Sequence, residues 1–217
     1  MRVAWFMLLV AVGLAGSAFG EILGNPADGT ASRSLAQDWV HPAFAAQNTW
    51  VVSDFETAVD YYLYDVTAVG QTTHLQGVDG DGANFNIWDG LPWERGNIVL
   101  SAANGWEHFG SEGLMGADFL GQVLPAGDYY LVYQAVRDFL NTGGQSLVMQ
   151  TWTGEENDWQ WNPLQGQGWG PYRRVQDTGG VYMDVNWQLH AEPVPEPGVL
   201  ALVALGGLVA LRRRRGV

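Results

Sequence analysis

Cysteine and lysine are both absent from this 217-residue chain. Without cysteine there is neither a disulfide framework nor a thiolate metal site, so the fold rests on packing, with bound cations as the available supplement. Without lysine, positive charge comes from ten arginines alone. Arg2 stands near the start and Arg212, Arg213, Arg214 and Arg215 near the end, which leaves Arg33, Arg95, Arg137, Arg173 and Arg174 between them. Residues 21–191 set those five arginines against 21 acids, a balance of −16. A body that acidic repels nucleic acid and anionic lipid, and neither is an expected partner. The acids serve solubility outside a cell, and they also attract divalent cations.

Signals for catalysis are equally scarce. There is no Gly-x-Ser-x-Gly elbow, no His-Glu-x-x-His and no phosphate loop. The four histidines (His41, His74, His108, His190) are scattered, and only His108 has an acidic neighbour, Glu107. Two suitably spaced carboxylates would occur by chance among 21 acids, so they do not argue for a glycosidase. The chain reads as a non-enzyme. Long runs of 3.6-residue period and internal repeats are missing too, which argues against a helical or solenoid fold.

Both ends carry addresses. Met1 to Gly20 has a lone Arg2, an apolar run from Val3 to Ala15, and small residues at Ala18 and Gly20 that suit cleavage before Glu21. It reads as a secretory signal peptide, with a permanent N-terminal anchor as the alternative. At the other end, Pro195-Glu196-Pro197 precedes fourteen uncharged residues, Gly198 to Leu211, and then the arginines 212 to 215. As a helix, that stretch is about 21 Å long, short of the ~30 Å hydrocarbon core, so it spans only by thinning the bilayer or snorkelling its flanks. The arginines keep the terminus cytoplasmic and leave everything before Pro195 outside.

From Val194 to Val217 the chain resembles the PEP-CTERM sorting signal, the bacterial tripartite tail handled by exosortase-type membrane proteases. The resemblance implies an exosortase-type protease as partner and a Gram-negative-type host. It implies transient inner-membrane anchoring through the tail, then release to the cell surface or extracellular matrix. Removal of the tail parallels the processing of GPI signals. An ordinary single-pass anchor that stays in place is the alternative.

Between the addresses lie residues 21–191, one domain's worth, with 192–217 as the tail. Residues 21–47 read as loops with one edge strand. Strands follow at Val59–Val69, with Tyr62, Tyr64, Val66 and Ala68 sharing a face, and at Asn84–Trp88, with Phe85 and Ile87 inward. Asn97–Ser101 runs back. Asp128–Val136 puts Tyr129, Leu131, Tyr133 and Ala135 on one side, and Ser146–Thr153 is expected as its hairpin partner. Val181–His190 alternates throughout, with Val181, Met183, Val185, Trp187 and Leu189 against Tyr182, Asp184, Asn186, Gln188 and His190. The expected fold is all-β: an antiparallel two-sheet sandwich of jelly-roll type, with helices only in the signal and the apolar tail. The segments NFNIWDGLPW…NIVL (84–100) and LPAGDYYLVY (124–133) resemble the β-sandwich ectodomains fused to PEP-CTERM tails.

Two constellations stand out. Asp79, Asp81 and Asn84 could donate oxygens to a structural Ca²⁺, although the EF-hand spacing fails at Ala83 and Gly90; a plain Asp-Gly turn is the alternative. Ten of the eleven tryptophans lie beyond the signal, and Trp152, Trp159, Trp161, Trp169 and Tyr172 crowd a segment otherwise rich in Gly, Asn, Gln and Pro. Indole faces pack on sugar rings while nearby amides and carboxylates bond hydroxyls, so this loop, 152–172, is the candidate glycan-binding site. The alternative is a loop that folds back and caps the sandwich with its own tryptophans. Three functions follow in order: an exported surface or exopolysaccharide-matrix protein, a carbohydrate-binding module, and, at a distance, a secreted glycan-active enzyme.

Overall fold

The computed structural model describes residues 21–25, 33–38, 40, 42–73, 79–138, 145–151, 158–168, 170–176 and 180–195. The expected signal helix and the apolar tail helix lie outside these residues. So do Trp152, Trp169, Glu196, Pro197 and the four terminal arginines. Among the described residues no helix is long and apolar enough to cross a membrane.

The strands are β1 (Glu21–Leu23), β2 (Arg33–Leu35), β3 (Gln37–Asp38), β4 (Trp50–Thr57), β5 (Tyr61–Thr72), β6 (Gly82–Trp88), β7 (Ile98–Ser101) and β8 (Ala103–His108). They continue as β9 (Leu114–Leu124), β10 (Gly127–Val136), β11 (Ser146–Thr151), β12 (Trp159–Trp161), β13 (Tyr172–Arg174), β14 (Asp184–Val185) and β15 (Gln188–Pro193). One sheet runs β1-β15-β5-β11-β14, with β9 on the other edge of β5, β8 beyond it, and β2 on β11. The second runs β13-β12-β4-β10-β6-β7. The described pairings are antiparallel except that of β3 with the end of β10. The two sheets pack face to face as a sandwich.

Alternation explains the core. Leu63, Val66, Met115, Phe119 and Leu189 of the first sheet meet Val51, Phe85, Ile87, Leu131 and Tyr133 of the second, and none is more than 2 % exposed. Each such side chain contributes about 1.5–3 kcal/mol by leaving water. The inward sets expected for β6 and β10 are the ones observed.

Other strands depart from the expected pattern, each for a visible reason. In β5, Tyr61, Leu63, Val66 and Ala68 are buried, whereas Tyr64 is exposed. His190 pairs with Asp65 and Ala191 with Leu63, so Tyr64 is an extra residue on β5. That bulge switches the alternation mid-strand. Segment 146–151 does not form a hairpin with β10. Both edges of β10 are occupied, by β4 and β6, and β11 joins β5, β2 and β14 in the opposite sheet.

The last strand is broken rather than continuous. Val181 is exposed, while Asp184 and Asn186, expected outside, are buried. Asn186 explains the break. Its Oδ1 accepts from the Val69 N–H (2.6 Å), and its Nδ2 donates to the carbonyls of Val69 (3.0 Å) and Met149 (2.7 Å). The side-chain amide thus stands in for a strand peptide between β5 and β11, where the ladder would otherwise leave groups unpaired.

β15 ends at Pro193, where the Val194 N–H donates to the Asp60 carbonyl (2.8 Å). β1 pairs with β15, Glu21 opposite Ala191. Both ends of the sandwich therefore lie on one edge of the first sheet.

Candidate functional site

The segment 159–174, expected as a polar loop, is partly strand. β12 adds to β4 with Trp159 opposite Val52 and Trp161 opposite Trp50, and β13 adds to β12 with Tyr172 opposite Trp161 and Arg174 opposite Trp159. Directly paired residues share a face. Val51 lies in the core between the sheets, so Trp50, Val52, Trp159, Trp161, Tyr172 and Arg174 all point out of the sandwich. Gln160 and Arg173 take the other side, joined by a hydrogen bond from Arg173 Nε to Gln160 Oε1 (2.9 Å).

Two further indoles reach this face from the far side of the sheet. Trp88 ends β6 and meets Trp161 edge-on at 6.0 Å, although β4 and β10 run between their strands. Trp93 sits in a short 3-10 turn, Pro92–Glu94, of the β6–β7 connection. It stacks on Tyr172 at 4.5 Å and 12° and meets Trp159 edge-on at 5.4 Å. The connection closes on itself: Asp89 Oδ1 accepts from the Asn97 N–H at 2.6 Å, and Gly96 lies so close to the Gly90 carbonyl that a Cβ there would clash. Beneath these rings, outward-pointing Val52 and Val132 are fully buried.

Charge is arranged along the same face. The Arg174 guanidinium lies 4.6 Å from the centre of the Trp159 ring and 5.6 Å from that of Tyr182. Such cation–π contacts contribute about 0.5–1 kcal/mol at exposed sites. Tyr172 and Tyr182 are 42 % and 43 % exposed, whereas Trp50, Trp88, Trp93, Trp159 and Trp161 are half-buried. Asp54 follows Val52 on the outer row of β4, and burial raises its carboxyl above the usual range, with Asp184 adding to the effect and Arg174 opposing it. Tyr130, opposite Asp54, is raised by burial and then by Asp54, Glu94 and Asp128.

Of the sequence candidates, the structure brings Trp159, Trp161 and Tyr172 together. It adds Trp50, Trp88, Trp93 and Arg174, which spacing along the chain does not reveal, because they come from β4, the β6–β7 region and an edge strand. The rings do not form a coplanar platform: apart from the Trp93–Tyr172 stack, they meet at 38° to 79°.

The Asp-Gly turn has other partners. Asp79 accepts from the Ser111 N–H (3.0 Å) and hydroxyl (2.8 Å) and lies 3.2 Å from His108 Nδ1, and Asp81 accepts from the Asp138 N–H (2.6 Å). Asn84 stands on β6. Among the described residues no three His, Cys, Asp or Glu side chains converge as a metal-binding group.

The neighbours Glu107 and His108 point apart. His108 faces Asp79, while Glu107 turns inward to a fully buried ion pair with Arg137 (2.6 Å). Arg137 Nε also donates to Ser146 Oγ (3.1 Å), and Glu107 Oε1 accepts from the Phe109 N–H (2.6 Å). This cluster ties β8, the end of β10 and the start of β11 together, as a crosslink would in a chain with cysteines. A separate recess of about 260 Å³ is lined, among the described residues, by Gln71, Thr72, Phe109 and Gly110.

Comparison of the chain with protein-family models, with curated proteins and with solved structures returns no match in any of the three.

Proposed function

We propose that the chain is an exported, non-enzymatic protein of the cell surface or exopolysaccharide matrix, and that its sandwich engages polysaccharide through the aromatic face of the second sheet. The observation that carries this is the outward row of Trp50, Trp159, Trp161 and Tyr172, joined by Trp88 and Trp93. Soluble sheets ordinarily set polar residues on that side, and an aromatic patch left there marks an interaction surface. Rings of this kind meet the apolar faces of sugars.

The placement of the chain ends agrees. The tail leaves beside Asp60, next to the Thr57 end of β4. Trp50 lies seven residues away along that strand, about 23 Å at 3.3 Å per residue. A protein held by its tail would present Trp50 and Trp161 away from the tether. Delivery rests on the PEP-CTERM-like tail, with an exosortase-type protease as processing partner. The jelly-roll wiring belongs to the same proposal and draws support from a chain that crosses between sheets at β2–β3, β4–β5, β5–β6, β7–β8, β9–β10, β10–β11, β11–β12 and β13–β14.

The protein purified from its host, tested on the host's own exopolysaccharide with Ca²⁺ and with chelator, is expected to bind. Trp159→Ala and Trp161→Ala are expected to lose binding while keeping the wild-type circular dichroism. Undiminished binding by both variants would place the glycan elsewhere and sink the assignment. For the tail, intact mass is expected to lack Arg212 to Arg215; a complete C-terminus on the secreted protein would refute processing.

A further inference from the structure

We propose that the aromatic face takes a polysaccharide bearing free amino groups, and that it does so where the tryptophan rows run into acids at the Thr57 end of β4. The inference deepens the glycan-binding reading above and rests on it. The outward row of β4 continues from Trp50 and Val52 to Asp54 and Glu56. On β10 the matching residues are Val132 opposite Val52, Tyr130 opposite Asp54 and Asp128 opposite Glu56. Tyr130 is also opposite Trp88 of β6. Directly paired residues share a face, so Trp88, Tyr130, Asp54, Glu56 and Asp128 lie on the outside of the sheet together. Glu94 joins them from the turn that carries Trp93. The Tyr130 phenol is raised by burial and then by Asp54, Glu94 and Asp128, so all three carboxylates are within electrostatic reach of one ring.

The negative charge at this end is not balanced within the fold. Glu56 and Asp128 stand directly opposite each other, a like-charge pairing that costs a sheet stability. Arg174 acts on Asp54 from β13, and Arg95 follows Glu94 in the turn, so two arginines meet four acids. Arg173 takes the other side of β13, against Gln160. Among the described residues, none of Asp54, Glu56, Glu94 and Asp128 is in an ion pair. A second polar feature lies on the same outward row of β10. Gln134 is 1 % exposed, and its Oε1 has no hydrogen-bond partner among the described residues, which leaves an acceptor for an N–H of the ligand.

An amino sugar answers both halves of the surface. Its ring face packs on an indole, and its ammonium is drawn to the carboxylates and to the negative face of the same indole. A neutral sugar uses only the rings. The long-range field acts in the same direction: residues 21–191 set 21 acids against five arginines, a body that draws a polycation toward it and speeds the encounter at low salt. The rings then decide where on that body the chain settles, because acids elsewhere on the surface offer charge without an aromatic row beside it.

The test compares glucosamine oligosaccharides with the same oligosaccharides after N-acetylation, which removes the charge and keeps the backbone. It uses the host-purified protein at pH 6 in 20 mM and 300 mM salt, with the host's own exopolysaccharide run alongside. Wild type is expected to bind the free-amine form more tightly, and the gap is expected to narrow at the higher salt. Glu56→Gln and Asp128→Asn are each expected to weaken the free-amine form about two- to fivefold and to leave the N-acetylated form unchanged. Both substitutions relieve the opposed pair, so neither variant is expected to melt earlier than wild type. Trp88→Ala is expected to weaken both forms. Glu112→Gln, in the exposed turn between β8 and β9, is expected to change neither. Equal affinity for the two forms, or Glu56→Gln and Asp128→Asn proteins that keep the preference, would overturn the inference and leave the glycan-binding reading standing. A loss in Glu112→Gln as large as that in Asp128→Asn would also overturn it, as diffuse attraction to an acidic body. Binding of the exopolysaccharide without either oligosaccharide would overturn the inference alone, and failure to bind any of the three would overturn both.

Discussion

The two faces of the second sheet are made by the same strands and use aromatic residues to opposite ends. On the inner face, Phe85 and Tyr133 stack at 5.1 Å with planes 6° apart, neither more than 2 % exposed, and the Tyr133 hydroxyl donates to the Asn186 carbonyl at 2.7 Å. On the outer face, the rings tilt against one another and leave Tyr172 partly in water. The inner rings have every polar group placed and nothing left to offer. On the outer face Val52 and Val132 are fully buried, while the rings keep part of their surface in water, the surface on which the proposed glycan would rest. Burial is complete where the fold needs it and partial where a partner would complete it.

The comparison predicts a gradient of stability. Phe85→Ala removes a fully buried ring and its stacking partner's support, and is expected to cost about 3–5 kcal/mol. Trp161→Ala strips a half-buried ring that contacts Trp50 and Trp88, and about 1–2 kcal/mol is expected, since part of the indole already faces water. Denaturant unfolding of the two variants measures both. Equal costs would mean that the outer layer is a second core and not a ligand surface.

A second contrast concerns two buried acids. Glu107 is paired with Arg137 and accepts from the Phe109 N–H, whereas Asp158 accepts from the Val185 N–H (2.6 Å) on Oδ2 and lies near two further acids, Asp184 and Asp54. Burial pushes the Asp158 carboxyl well above the usual carboxylate range, and Asp184 and Asp54 add to the effect. The folded state therefore holds a proton that the unfolded chain has released. Asp158 favours folding at pH below the unfolded carboxylate range, and stability falls as pH rises toward its raised folded value. One such group gives a slope approaching about 1.4 kcal/mol per pH unit. Asp158→Asn keeps the acceptor for Val185 and removes the titration, so it is expected to flatten that slope above pH 4 in urea melts. A slope unchanged by the substitution would locate the titrating group elsewhere.

Much of the inner face was legible from alternation alone, because β6 and β10 are regular strands paired on both sides. The bulge at Tyr64 was not, since a single extra residue changes the inward set without altering composition. Nor was the partner of β11. A nearby turn suggests a hairpin, but only the finished sheet shows that β10 has no free edge. Asn186 reads as a solvent-facing residue of an alternating strand, and its burial depends on the Val69 and Met149 carbonyls it meets in three dimensions. At the site, Trp159, Trp161 and Tyr172 were visible as tryptophan-rich sequence. Trp93 and Trp88 were not, being some 60 to 80 positions distant and read as turn and strand-end residues.

The smallest stability effect is expected at the outermost ring. Tyr172→Ala removes a side chain 42 % exposed, on an edge strand, with its contacts to Trp93 and Trp159. One aromatic pair contributes about 0.5–1.5 kcal/mol, and an exposed one falls at the lower end. About 0.5–1 kcal/mol of destabilisation is therefore expected, seen as a shift in urea midpoint without a change in slope. Tyr172→Phe should restore it, because the described contacts of Tyr172 with Trp93 and Trp159 are made by its ring. Restoration of stability without restoration of glycan binding would assign the phenol oxygen to the ligand. Restoration of both would assign the ring face alone, and the inner and outer aromatics would then differ only in whether protein or sugar covers them.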